Sequence, residues 1–167
     1  MEQLHYDDAL ILGVLHRVRT IAMVGASAKW NRPSYFAMKY LQEKGYRVIP
    51  VNPGQAGKEL LGERVYASLS EIPEPFQMID IFRASDAVGP IVEEAIALDE
   101  TRGVQVIWMQ LGVVNHEAAE MAEAAGLTVI MDRCPKIEFG RLHAELSWGG
   151  FDSGVITARR RRLREAP

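Results

Sequence analysis

The segment from Thr20 to Gly45, TIAMVGASAKWNRPSYFAMKYLQEKG, holds three patterns in immediate succession. Thr20 to Val24 is a short apolar run bounded by Arg19 and Gly25, which suits a strand buried on both faces. Gly25 to Arg32 is a turn-forming loop of small and cationic residues. From Pro33 the spacing turns helical: Phe36 pairs with Tyr40 and Ala37 with Leu41, each four apart, and Gly45 supplies a left-handed stop. A strand, a small-residue loop and a helix in that order aim the free N–H groups and positive dipole end of the helix at whatever sits above the loop. The preferred occupant is a phosphate.

The rest of the chain repeats the alternation. Ile11, Val14, Leu15 and Val18 mark one face of an N-terminal helix. Tyr46 to Val51 reads as a second strand, ended by the turn residues Asn52-Pro53-Gly54. A short edge strand is expected between Leu60 and Tyr66, around Gly62, and Ser68 with Glu71 has capping-box spacing before one helical turn. Met78 to Phe82 is the next strand, followed by a helix whose Val88, Ile91, Val92, Ala95 and Ile96 form one stripe. Val104 to Met109 is another strand, with Gln110-Leu111-Gly112 at its carboxyl end. Asn115 then caps a helix carrying Ala118, Met121, Ala122 and Ala125, stopped by Gly126. Leu127 to Met131 is the last strand. A final helix from about Ile137 is expected to bury Phe139, Leu142 and Leu146 before Gly149-Gly150 ends it.

This alternation predicts an α/β fold: a single Rossmann-like, doubly wound parallel sheet of about five strands with helices on both faces. One domain is expected over residues 1–150, with its core motifs at about 17–112, followed by a basic, flexible tail at 151–167. In such sheets the ligand crevice lies beyond the carboxyl ends of the strands, where the strand order reverses. The segments converging there are Gly25 to Ser34, Asn52-Pro53, Phe82-Arg83, Gln110 to Gly112 and Asp132 to Lys136.

Composition narrows the setting. A chain of 167 residues with 48% apolar content buries a core without staples, and its single cysteine, Cys134, permits no internal disulfide. The acidic opening MEQLHYDDAL carries no signal-peptide pattern, and no run approaches the roughly 18 apolar residues of a membrane span. A cytoplasmic protein with no membrane association is expected. A net charge of −3 argues against a nucleic-acid surface, with Arg159 to Arg162 and Arg164 a local exception in the tail. His5, His16, His116 and His143 are scattered and none stands beside a nucleophile in sequence; they read as surface or helix residues, and no catalytic residue or metal site is assigned.

Charge decides which nucleotide suits the crevice. A dinucleotide fold shows G-x-G-x-x-G after its first strand and an acidic residue closing the second, whereas here Gly25 stands alone and the second strand ends in Val51-Asn52-Pro53. Both departures count against NAD. The lack of an acidic group at the end of the second strand, together with Lys29, Arg32 and Arg83, favours a ligand richer in phosphate, such as one phosphorylated on its ribose. Gly54 to Lys58 only superficially echoes a Walker loop, since its spacing is wrong and no Ser or Thr follows.

Taken together, VGAS (24–27), RPS (32–34), GYRVIPVNP (45–53), IDIFR (79–83), WMQLG (108–112) and DRCPKIE (132–138) resemble the small stand-alone CoA-binding proteins of bacteria and archaea. These are relatives of the nucleotide-binding domain in the alpha subunit of succinyl-CoA synthetase. The resemblance covers about Ile11 to Leu142 and implies a Rossmann-like domain that binds coenzyme A through its adenine nucleotide end. By the family pattern, Gly25, Ala26 and Ser27 approach the diphosphate, and Lys29, Arg32 and Ser34 surround phosphate oxygens. Asn52 and Pro53 border the nucleotide, while Phe82 and Arg83 line the far side. Pro33, Gln110, Cys134 and Lys136, in the converging segments, complete the candidate binding set. The resemblance does not imply catalysis, because the synthetase needs further domains and a phosphorylated histidine.

Cys134 has two readings. Between Arg133 and Lys136 its thiolate would be favoured and could form a reversible mixed disulfide with coenzyme A; otherwise it is a small, half-buried packing residue. Two function classes also stand. One is a non-catalytic protein that stores, senses or presents coenzyme A or an acyl-CoA; the other is an NAD(P)- or acyl-CoA-dependent enzyme. Acylation of the ligand, protein partners and oligomeric state stay open.

Overall fold

Apolar runs too short for helices and too continuous for surface strands form the centre of the molecule. The computed structural model describes residues 4–143, so the expected helix positions at Leu146 and Gly149-Gly150 and the arginine-rich tail lie outside the described residues. In chain order the elements are α1 (Asp8–Arg17), β1 (Thr20–Val24), α2 (Pro33–Glu43), β2 (Arg47–Val51), β3 (Glu59–Leu60), β4 (Glu63–Arg64), β5 (Met78–Ile81), α3 (Val88–Ala97), β6 (Val106–Met109), α4 (His116–Ala124), β7 (Thr128–Ile130) and α5 (Pro135–Leu142).

Five strands make one parallel sheet in the order β2-β1-β5-β6-β7. From β1 the chain moves outward to β2, then returns to β1's other flank and builds β5, β6 and β7 away from it. The order therefore reverses between β1 and β5, the topological switch point of a doubly wound sheet. Both faces are covered. Ile21, Met23, Val48, Met78, Trp108 and Ile130 pack under α1, α2 and α5. Ala22, Ile49, Ile79, Ile81, Ile107 and Met109 pack on the other face under α3 and α4. A fully buried side chain of this size contributes roughly 1.5–3 kcal/mol, so the two layers outweigh any single polar contact. Trp108 carries a polar group into its layer, and its Nε1–H donates to the Arg133 carbonyl at 2.8 Å, tying β6 to the loop after β7.

Several local expectations are corrected. The edge strand is a miniature hairpin, β3 against β4, turning through Leu61 and Gly62 at φ +48° and +83°, after which Tyr66 bridges in parallel to Val51. No reciprocal capping box forms at Ser68: the Leu69 N–H donates to Glu94 on α3 and the Glu71 carboxylate accepts from the Ala67 N–H. Helix α5 starts at Pro135, two residues ahead of Ile137, because proline suits the first helical position. His143 is buried, not a surface residue; its ring stacks on Phe139 with centroids 4.0 Å apart. Asn115 does cap α4, its Oδ1 accepting from the Ala118 N–H at 2.9 Å. No helix among the described residues is long and apolar enough to cross a membrane.

Candidate functional site

Two adjoining clefts open at the carboxyl ends of the strands, and both meet at the switch point. Gly25 leaves β1 at φ +85°, and a β-carbon there would stand 2.3 Å from the Phe82 carbonyl oxygen. Only glycine lets the loops after β1 and β5 approach this closely. The following loop is stapled to the first turn of α2: the Ser27 N–H donates to Ser34 Oγ at 3.0 Å, and the Lys29 N–H donates to Ser27 Oγ at 3.2 Å. The Ala26 side chain is buried in the core, leaving its backbone to the loop. Arg32 occupies the N-cap of α2 with no side-chain cap bond, and Pro33 follows at the first helical position. The positive end of the helix dipole is thus left uncapped by any side chain.

The smaller cleft, of about 320 Å³, is a notch lined by Gly25, Ser27, Lys29, Arg32, Pro33, Ser34 and Phe82. Lys29 and Arg32 are exposed and, like Arg83, make no ion pair among the described residues. By contrast Arg47, Arg133 and Arg141 are engaged by carboxylates. An uncompensated cation pair at an uncapped helix start is chemistry for an anion.

The larger cleft, of about 590 Å³, shares Pro33 and Phe82 with the notch and runs over the ends of β5, β6 and β7. Phe36 and Ala37 of α2 form one wall; Cys134, Lys136 and Ile137 form another; Arg83, Gln110, Leu111 and Val113 complete it. The Lys136 ammonium lies 6.0 Å from the centre of the Phe36 ring and 5.6 Å from that of Tyr40, where the ring faces attract it. Gln110 is buried and its Nε2 donates to Asp80 Oδ1 at 2.9 Å. Asp80 lies in register between Met23 and Trp108, fully buried, and its Oδ2 has no hydrogen-bond partner among the described residues. Burial pushes the Asp80 carboxyl up to about 7, against the pull of the Gln110 hydrogen bond.

Burial likewise pushes the Cys134 thiol up, with the Asp80 charge adding to the rise and the N–H groups of Ile137 and Lys136 opposing it. Of the two readings of Cys134, this favours the packing residue: burial outweighs the Lys136 charge, which acts in the direction of the thiolate. The Arg133 guanidinium turns away, donating to the carbonyls of Leu4 and Asp132 and lying over the Tyr6 ring.

The structure gathers Gly25, Ser27, Lys29, Arg32, Pro33, Ser34 and Phe82 around the notch, and Phe82, Arg83, Gln110, Cys134 and Lys136 around the larger cleft. Asn52 and Pro53 line neither. The Asn52 amide is spent on the fold: Nδ2 donates to the Ala26 carbonyl at 2.8 Å and Oδ1 accepts from the Gly54 N–H at 2.9 Å. Sequence reasoning missed Phe36, which the four-residue pairing used only as a sign of helical spacing and which is 46% exposed in the cleft wall. It shares a face with Pro33 and Ala37, so its spacing from Pro33 was the signal. Asp80 was also missed, although a carboxylate inside the run MIDIF marks a buried charge.

Residues 19–140, a span that takes in both clefts, match the family model described as CoA binding domain. The chain belongs to this family. The chain is 40% identical over 131 residues to the uncharacterized protein YneT of Bacillus subtilis (strain 168), covering 78% of this chain and 93% of that one. It is 34% identical over 100 residues to the acetate–CoA ligase (ADP-forming) I subunit alpha of Pyrococcus furiosus; that match takes 58% of this chain but spans only 21% of the subunit. Among solved structures, a hypothetical protein from Pyrococcus horikoshii OT3 superposes with a TM-score of 0.76 at 38% identity, covering 85% of this chain and 99% of the other.

Proposed function

We propose that the chain binds coenzyme A through its phosphorylated adenine nucleotide and holds it without chemical change, for storage, sensing or presentation to a partner protein. The observation that carries this reading is the unpaired Lys29 and Arg32 at the uncapped start of α2, in a CoA binding domain. The diphosphate and the ribose phosphate would share the notch. From there a ligand runs two ways along the strand ends. The adenosine would lie toward β2, bordered by Asn52 and Pro53, and the pantetheine arm would cross Phe82 and Arg83 to bring its thiol end to the mouth of the larger cleft, facing Gln110, Cys134 and Lys136.

Binding without turnover is supported by the titratable groups of the larger cleft. Nucleophilic catalysis needs a thiol with its proton loosened by a base or a cation. Burial and Asp80 act on Cys134 in the opposite sense. A buried cysteine left free suits the reducing cytoplasm.

Thermal melting tests the cofactor. Coenzyme A at about 100-fold its dissociation constant is expected to raise Tm by roughly 5–10 °C, since a ligand bound only by the native state stabilises it. NAD should leave Tm in place. A rise with NADP but none with coenzyme A would move the assignment to the nicotinamide enzyme class.

A further inference from the structure

Six large apolar side chains are exposed among the described residues, and their placement is uneven. Phe36, Leu111 and Ile137, at 46%, 56% and 42% exposure, line the larger cleft, while Trp30, at 71%, sits in the notch loop between Lys29 and Arg32. Apolar surface gathered this way at a concave site calls for an apolar occupant. The parts of coenzyme A itself do not supply one: its phosphates belong with cations, and its pantetheine arm is rich in amides. On the reading proposed above, we infer that the larger cleft receives the acyl chain of an acyl-CoA thioester, making the natural ligand an acylated rather than a free coenzyme A.

Continuity of the two clefts supports the assignment. They join through Pro33 and Phe82, so the thioester arm of a ligand anchored by its phosphates at Lys29 and Arg32 has a continuous path from the notch into the 590 Å³ space. Arg83 and Lys136 are the charged residues of that lining. Ala37 and Val113, both buried, floor it with small apolar groups.

Calorimetric titration with coenzyme A, acetyl-, butyryl- and octanoyl-CoA at one ionic strength tests the inference. Affinity is expected to rise with chain length, octanoyl-CoA binding at least about tenfold tighter than acetyl-CoA, because each buried methylene adds to the transfer free energy. In Leu111→Asp and in Ile137→Asp, exposed positions whose replacement is expected to leave the melting curve of the free protein intact, the octanoyl advantage should collapse toward onefold. If wild-type binds coenzyme A but chain length has no effect, the acyl assignment falls while the cofactor reading stands. Equal loss of coenzyme A and octanoyl-CoA in the variants also overturns it, since the cleft then holds a part common to both. Dimerisation of the wild-type chain, broken by either variant without an acyl preference, would reassign the surface to contact between copies. Failure of every thioester and of coenzyme A alike removes the cofactor reading itself.

Discussion

Gly25 and Phe82 come from strands adjacent in the sheet, yet their loops touch: the Phe82 carbonyl oxygen occupies the place where a β-carbon of residue 25 would stand, 2.3 Å away. The neighbouring Phe82 N–H donates to the Val24 carbonyl at 2.8 Å, so neither loop can retreat without breaking the sheet's last rung. Gly25→Ala adds left-handed strain at φ +85° to this clash. It is expected to cost at least about 2 kcal/mol in urea unfolding and to weaken coenzyme A binding by prising the notch open. Full stability in the variant would show that the two loops are not in register.

Asn52 gives a second, separable test. An acidic residue at the end of the second strand serves dinucleotide folds by holding a ribose diol, but here Asn52 donates to the Ala26 carbonyl and caps Gly54. Asn52→Asp keeps the cap and sets a carboxylate oxygen against that carbonyl. A loss of about 1–3 kcal/mol in stability is expected, with no gain of NAD binding. Tight NAD binding by the variant would mean that the residue faces the ligand and not the loop.

How much of this was legible in the chain depends on whether the deciding interactions are local. β1, its loop and α2 announce themselves through neighbouring residues, as do the Asn115 cap and the left-handed stop at Gly45. The loops that meet at the strand ends were legible too, since each follows directly on its own strand, although Asn52 and Pro53 line neither cleft. What escaped is set across the sequence. The β3–β4 hairpin depends on Tyr66 meeting Val51, the start of the turn at Leu69 on Glu94, and the burial of Asp80 on Trp108 and Met23 flanking it. Helical spacing identified the face that carries Phe36 without saying that the face runs from core into cleft.

The notch cations should govern affinity with little effect on folding. Lys29 and Arg32 are exposed and unpaired among the described residues, so Lys29→Gln and Arg32→Gln are expected to move unfolding free energy by no more than about 0.5 kcal/mol. Each should weaken coenzyme A by about tenfold or more at low salt, the loss shrinking as salt rises. Wild-type should prefer coenzyme A to dephospho-CoA by roughly tenfold, and the double variant by less than about threefold. An unchanged preference would place the ribose phosphate elsewhere.

Cys134 should be a sluggish thiol. With burial holding its proton, alkylation by iodoacetamide at pH 7.5 is expected to run at least about tenfold slower in the native chain than in the same chain in urea. Intact mass after exposure to oxidised coenzyme A should show the bare chain. A coenzyme A adduct forming as fast as in the unfolded protein would restore the mixed-disulfide reading.

Asp80 links the floor of the larger cleft to pH. In the native chain its carboxyl keeps a proton up to about pH 7, whereas unfolding returns it to the ordinary value of 3.8. Between those limits the native state binds more protons than the unfolded one, so this group makes stability fall as pH rises from about 4 to about 7, and no further above. Asp80→Asn keeps an acceptor for Gln110 but cannot ionise; it places a donor where Oδ2 has no partner, a fixed cost of about 1–3 kcal/mol. The variant is therefore expected to be the weaker protein at pH 5 and to gain about 2–3 kcal/mol on wild-type by pH 8. Urea unfolding of both chains at the two pH values measures that gain, because titrating groups that Asp80 does not touch cancel in the difference. A stability gap of the same size at both would mean that Asp80 is already ionised at pH 5, with a counter-charge or water reaching Oδ2.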